Sequence, residues 1–120
     1  MQPKKNKLKR LSPSLREKKR YLAFEIISDS KINDFNGISH EINFNYLACA
    51  GSFSAQKAGI NVLYDKWNQE KQKGLIRVGH KHVDELKASL ALIKQINSTP
   101  IIAKSIGLSG ILKKASEYVN

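Results

Sequence analysis

One nine-residue stretch, Arg20–Ser28 (RYLAFEIIS), dictates most of what this chain can become. Leu22, Phe24 and Ile26 fall on one side of a strand. Tyr21, Ala23, Glu25 and Ile27 fall on the other, at the strand period of two. Such a strand is built for a core. Directly before it stand Arg16, Lys18, Lys19 and Arg20, interrupted only by Glu17. The cations are therefore held at the mouth of a rigid element, which is how a protein aims positive charge at a polyanion.

The charge balance sharpens this reading. The chain has 120 residues with 21 Lys and Arg against 10 Asp and Glu, a net +11. Nine of those cations lie in residues 1–20 against Glu17 alone, so the first sixth of the chain holds +8 of the excess. This implies a nucleic acid or an anionic surface as partner. No apolar run approaches the roughly 20 residues of a membrane span, and the N-terminal stretch lacks a signal peptide's apolar segment. The basic stretch has no interleaved apolar face, so a peripheral membrane role is disfavoured. Cys49 is the single cysteine, which excludes an intrachain disulfide and fits a reducing cytoplasm.

Residues 1–12 read as a basic arm, disordered when free. It serves as a solubilising tail or as an arm that orders on RNA. Residues 13–120 read as a single domain. Ser14 to Glu17 has the capping-box spacing, but Lys18-Lys19-Arg20 follows in place of an apolar run, so only a short turn is expected. After the first strand, Asp29–Gly37 is a loop of turn formers. Ser39 is placed as an N-cap with Glu41 in the first turn. A helix follows to about Ser52, with a break at Gly51–Ser52 and a second short turn over Phe53–Gly59. Phe44, Tyr46 and Phe53 are placed in the core, and Cys49 is expected as a buried thiol. Ile60–Trp67 alternates as a strand, Asn68–Gly74 connects, and Leu75–Gly79 returns with Arg77 facing away from the core. His82–Asn97 is a helix on the stripe Val83, Leu86, Leu90 and Ile93, widened by Ala88, Ala91, Leu92 and Ile96. Ser98-Thr99-Pro100 stops it. Ile101–Ile106 is the last strand, Gly107–Gly110 a turn, and Ile111–Val119 a short amphipathic helix. The order β-α-β-β-α-β implies an α+β fold, a ferredoxin-like split βαβ sandwich. Its four-stranded antiparallel sheet carries the helices on one face, with a short C-terminal helix added.

No catalytic constellation stands out. There is no phosphate loop, nucleophile elbow or paired metal-ligand spacing. His80 and His82 are two apart, which is not one face of a helix, and His40 stands alone as a surface or capping residue. Glu25 and Asp65 are too few for a two-metal nuclease. No metal or cofactor is expected on this chain. Basic residues recur at Arg77, Lys81, Lys104, Lys113 and Lys114. The strand order is shared with RNA-binding sheets that stack bases on third-strand aromatics, but Leu75–Gly79 has none. Phosphate and shape contacts are the better fit.

Three stretches resemble the ribonuclease P protein component 2 family, the archaeal counterpart of a eukaryotic RNase P/MRP subunit. They are SPSLREKKRYLAFEII from Ser12 to Ile27, GLIRVGHKHVDELKASLALI from Gly74 to Ile93, and IGLSGILKKA from Ile106 to Ala115. The resemblance implies a ferredoxin-like, non-catalytic subunit that helps a catalytic RNA remove the 5′ leader from precursor tRNA, with Mg²⁺ on that RNA. It implies RNase P RNA, precursor tRNA and RNase P protein component 3 as partners, and self-dimerisation within a heterotetramer. On the matching positions, RNA contacts fall to Arg16, Lys18, Lys19, Arg20, Arg77, His80, Lys81, Lys113 and Lys114. The family's opening motif also covers Leu15 and Tyr21. Two departures stand out. The extension Met1–Arg10 is longer and more basic than the motif requires, and His82 replaces a frequent aromatic. A general RNA- or ribosome-associated module is the alternative reading, and an autonomous ribonuclease a third.

Overall fold

The protein is described by a computed structural model covering residues 18–120; the basic arm, the turn at Ser14–Glu17 and Arg16 lie outside the described residues. β1 (Lys19–Ile27) is an inner strand of a four-stranded antiparallel sheet. It pairs with β3 (Lys73–Gly79) on one side and β6 (Ile102–Ser109) on the other. β2 (Asn61–Val62) completes the order β2-β3-β1-β6. Helix α1 (Phe35–Ala58) links β1 to β2, and α2 (Val83–Ala91) follows β3. This is the expected ferredoxin-like layout.

The alternation in β1 holds. Leu22, Phe24 and Ile26 are buried with Ile76 and Val78 of β3 and Ala103 of β6. Ile38, Ile42 and Tyr46 of α1 and Leu86 and Leu90 of α2 cover them. Each fully buried aliphatic or aromatic side chain is worth about 1.5–3 kcal/mol. A surface ion pair is worth about 0–1. The core therefore sets where β1 sits, and the cations at its mouth follow.

The other sheet face is not open. Helix α3 (Leu112–Ser116) and the residues after it lie on that face, with Ala115 and Val119 buried against Ala23 and Leu75. So α1 and α2 share one face as expected, and the C-terminal helix occupies the opposite one.

Several boundaries differ from the sequence reading. α1 starts four residues before Ser39, so neither Ser39 nor Glu41 is at its N-terminus. Asp34 stands at the N-cap position, its carboxyl held below the usual carboxylate range chiefly by the Gly37 amide and the Asn97 side chain. The helix kinks at Gly51 (φ 87°, ψ 169°) as expected, but continues as helix to Ala58, where Gly59 in the left-handed region ends it. Tyr46 is buried, while Phe44 and Phe53 are 59% and 83% exposed, so the aromatic group is not one core cluster. Cys49 is exposed as well, and is not the buried thiol expected of it.

The second strand stops at Val62, and Tyr64–Lys66 forms a 3₁₀ turn. In a continued strand Leu63 and Trp67 would share a face. The turn separates them: Leu63 packs with Ala23 and Leu75, whereas Trp67 stacks on Phe24 across the sheet, ring centroids 5.9 Å apart. α2 ends at Ala91, six residues short of Asn97. β4 (Gln95–Ile96) and β5 (Thr99–Pro100) form a hairpin there, with Asn97 and Ser98 both at positive φ. That is the signature of a two-residue hairpin turn. Ile93 and Ile96 are buried as the stripe requires, but Ala88, Ala91 and Leu92 are exposed. β6 runs through Gly107 to Ser109, with a bulge opposite Ala23/Phe24. Gly107 is not a turn residue. A Cβ on it would lie 2.5 Å from the Tyr118 ring, so the glycine makes room for the C-terminal segment.

Candidate nucleic-acid interface

β1 and β3 are antiparallel, so the start of β1 meets the end of β3. Lys19 pairs with Gly79 and Arg20 with Val78. His80 then closes this end of the ladder: its backbone N–H donates to the Lys18 carbonyl at 2.7 Å, and its ring Nδ1 lies 3.1 Å from the same oxygen. His80 opens a 3₁₀ turn, His80–His82, that leads straight into α2. One backbone connection thus brings the basic cluster at Lys18–Arg20 against the basic turn at His80–Lys81.

Of these, Arg20, His80 and Lys81 line a pocket of ≈ 290 Å³ together with Val83, Asp84, Lys87 and Leu108. Among the described residues, three permanent cations face one carboxylate there. The Arg20 guanidinium donates to its neighbour's carbonyl, Lys19 O, at 3.1 Å and passes close to Gly110. It is the only half-buried cation of the three; Lys81 and Lys87 are exposed. Their charge is available to an approaching anion.

The remaining candidates divide. Lys19 and Arg77 are on the opposite sheet face, because Arg77 pairs with Tyr21 and the strands alternate. Both are exposed, and Lys19 Nζ reaches towards Gly59. Lys113 and Lys114 are exposed on α3, on that same face. So the structure gathers Lys18, Arg20, His80 and Lys81 at one mouth, sets Lys19 and Arg77 around its edge, and leaves Lys113 and Lys114 apart. Lys104 faces the outer side opposite Glu25.

Lys87 was not singled out from sequence, yet it lines the pocket. Its spacing from Asp84, i and i+3, puts the two on one helix face, and Asp84 follows Lys81 by three residues. That spacing was the available signal.

His82 has a different job. Its Nδ1 lies 2.8 Å from Glu85 Oε1, and Tyr46 Oη donates to the same oxygen at 2.9 Å. The network ties α1 to α2 and holds the Glu85 carboxyl below its usual range, first through His82 and then through Tyr46. It fills the place where an aromatic was expected at the start of α2. Among the described residues, no three His, Cys, Asp or Glu side chains converge as a metal site would require. None of the described helices is long and apolar enough to cross a membrane.

The family model for the Rpp14/Pop5 family matches residues 20–120. The chain belongs to that family. It is 38% identical over 110 residues to ribonuclease P protein component 2 of Methanosarcina barkeri, spanning 92% of this chain and 78% of that protein. The protein of the same name from Thermococcus kodakarensis is 34% identical, spanning 90% of this chain and 88% of its own length. That from Methanocaldococcus jannaschii is 35% identical, spanning 90% and 77%. A chain in the cryo-EM structure of yeast ribonuclease MRP superposes with a TM-score of 0.59 at 14% identity, over 86% of each chain, and so shares the fold. The Rpp14/Pop5 match begins at Arg20, the first pocket cation, and includes His80, Lys81 and Lys87.

Proposed function

We propose that this chain is a non-catalytic protein subunit of ribonuclease P. It binds and stabilises the catalytic RNA that removes the 5′ leader from precursor tRNA. The observation that carries the reading is the cationic pocket at the start of β1, placed on a member of the Rpp14/Pop5 family whose relatives are named ribonuclease P protein component 2. Arg20, Lys81 and Lys87 neutralise phosphates where RNA helices pack, and Lys18, Lys19 and Arg77 extend the contact around the sheet edge. Releasing counterions in this way lets the RNA hold its active fold at lower Mg²⁺. The bond-breaking step belongs to the RNA and its Mg²⁺. The same proposal includes pairing with RNase P protein component 3, self-dimerisation within a heterotetramer, contact with precursor tRNA and a cytoplasmic location.

The test is reconstitution with the RNA and partner proteins, following precursor-tRNA cleavage at limiting Mg²⁺. The variant R20E/K81E/K87E should abolish cleavage, and added Mg²⁺ should restore it. The same variant should flatten the dependence of log K on log salt by roughly 0.7–0.9 for each phosphate it no longer neutralises. Cleavage equal to the wild type at every Mg²⁺ concentration overturns the proposed role of the pocket.

A further inference from the structure

The His80 ring is fixed in a way that charge alone does not require. Its Nδ1 is 3.1 Å from the Lys18 carbonyl, which can only accept a hydrogen bond. Nδ1 therefore carries the proton, and in the neutral ring Nε2 is left as an acceptor. Among the described residues Nε2 has no hydrogen-bond partner. His80 is one of the residues lining the pocket, with Arg20, Lys81 and Lys87. A phosphate satisfies the three cations but offers nothing to an acceptor, since its oxygens also accept. A ligand that fills this pocket best offers an anion and, next to it, a hydrogen-bond donor. The ribose 2′-hydroxyl beside a backbone phosphate is that pair, and it is the group that separates RNA from DNA.

We propose that the pocket grips one ribose–phosphate unit of RNA: Arg20, Lys81 and Lys87 hold the phosphate, and His80 Nε2 accepts the 2′-hydroxyl proton. This rests on the RNA-binding reading above and adds to it the group recognised. His80 acts as a binding residue that selects ribose over deoxyribose. Asp84, the one carboxylate on the wall among the described residues, is the competing acceptor.

The contact is to backbone, so any short RNA hairpin serves as probe. Affinity of the full chain is measured for the hairpin and for its 2′-fluoro analogue, which keeps the sugar pucker but cannot donate. The wild type should bind the RNA about 2- to 10-fold more tightly, the worth of one hydrogen bond. Gln carries its amide oxygen near the position of Nε2, and Asn places an amide nitrogen near Nδ1. H80Q should therefore keep the preference, and H80N should lose it by weakening RNA binding while leaving the 2′-fluoro hairpin unaffected. A merely structural role predicts the reverse, because H80N keeps the Lys18 tether. If H80N and H80Q behave alike, or if D84N abolishes the preference while H80N retains it, the assignment is overturned. The RNA reading fails separately: R20E/K81E binding both hairpins as tightly as the wild type sinks it, whatever the His80 variants do.

Discussion

Gly107→Ala tests whether the outer sheet face is truly covered. The φ of Gly107 lies outside the left-handed region, so alanine fits the backbone and only space is at issue. The new Cβ would stand 2.5 Å from the Tyr118 ring. Ordinary carbon contacts are about 3.5–4.0 Å, so the ring must retreat by roughly 1 Å. Tyr118 is 43% exposed and can swing outward, or the whole segment can lift and expose Ala115 and Val119. Overpacking of this kind costs about 1–3 kcal/mol. The reduced freedom of the unfolded chain returns about 0.4–1, leaving a net loss of about 1–2 kcal/mol. At roughly 4 °C per kcal/mol for a domain of this size, Tm should fall by about 4–8 °C. Thermal unfolding of G107A, Y118A and the double variant closes a cycle. In the Y118A background the alanine should be neutral or mildly stabilising. If Gly107→Ala costs as much without the Tyr118 ring as with it, the glycine is not there to seat the C-terminal segment.

Two further outcomes follow from single side chains. Gln72 is buried and its Oε1 accepts from the Ile32 N–H at 2.9 Å, while Gln69 also donates to the Ile32 carbonyl. Gln72→Ala therefore orphans the Ile32 amide and also removes the Gln72 Nε2 donor from the Gln69 carbonyl, 2.8 Å away, and chemical denaturation should show a loss of about 1–3 kcal/mol. The Glu85 carboxyl is held below its ordinary value by His82 and Tyr46. A depressed folded-state pKa gives stability that is complete above the unfolded value, about pH 4, and lost as pH falls through the folded one. Denaturation midpoints of the wild type and Glu85→Gln should thus differ at pH 7 and converge in acid; a gap that widens in acid refutes the assignment.

The sequence showed most clearly what one face of one element decides. β1 was legible because both its faces alternate, and the stripe Val83, Leu86, Leu90 marked α2 because each is buried. α1 was blurred because Phe44 and Leu47 are exposed among the buried Ile38, Ile42 and Tyr46, so no clean period survives. The helix-to-hairpin change after Ala91 was hidden because Ile93 and Ile96, three apart, satisfy a helical stripe and a buried hairpin equally. Gly107 reads as a turn unless one knows that a ring from eleven residues later lies over it. At the site, the opening motif named Arg20 and the second motif His80 and Lys81. Their meeting required the β1–β3 register, a long-range pairing that no local pattern encodes.

That register also bears on how the proposed interface would meet RNA. Sheets that read single strands expose aromatic side chains on an uncovered face. Here that face is occupied: Ala115 and Val119 seal Ala23 and Leu75, and the Tyr118 ring lies over Gly107. Uncovering it would forfeit the burial of a valine and an alanine, about 2–3 kcal/mol at roughly 0.8 per methylene-sized group. Stacking a single base returns about 1–3. The exchange yields nothing, and β3 offers Leu75, Arg77 and Gly79 in place of aromatics. The proposed interface instead uses the sheet end-on. Its core fixes β1, the Lys18 carbonyl fixes His80, and the cations converge where two strand ends and a helix start meet. Charge held there needs no rearrangement to meet a phosphate. That favours recognition of a folded RNA's backbone over the reading of unstacked bases.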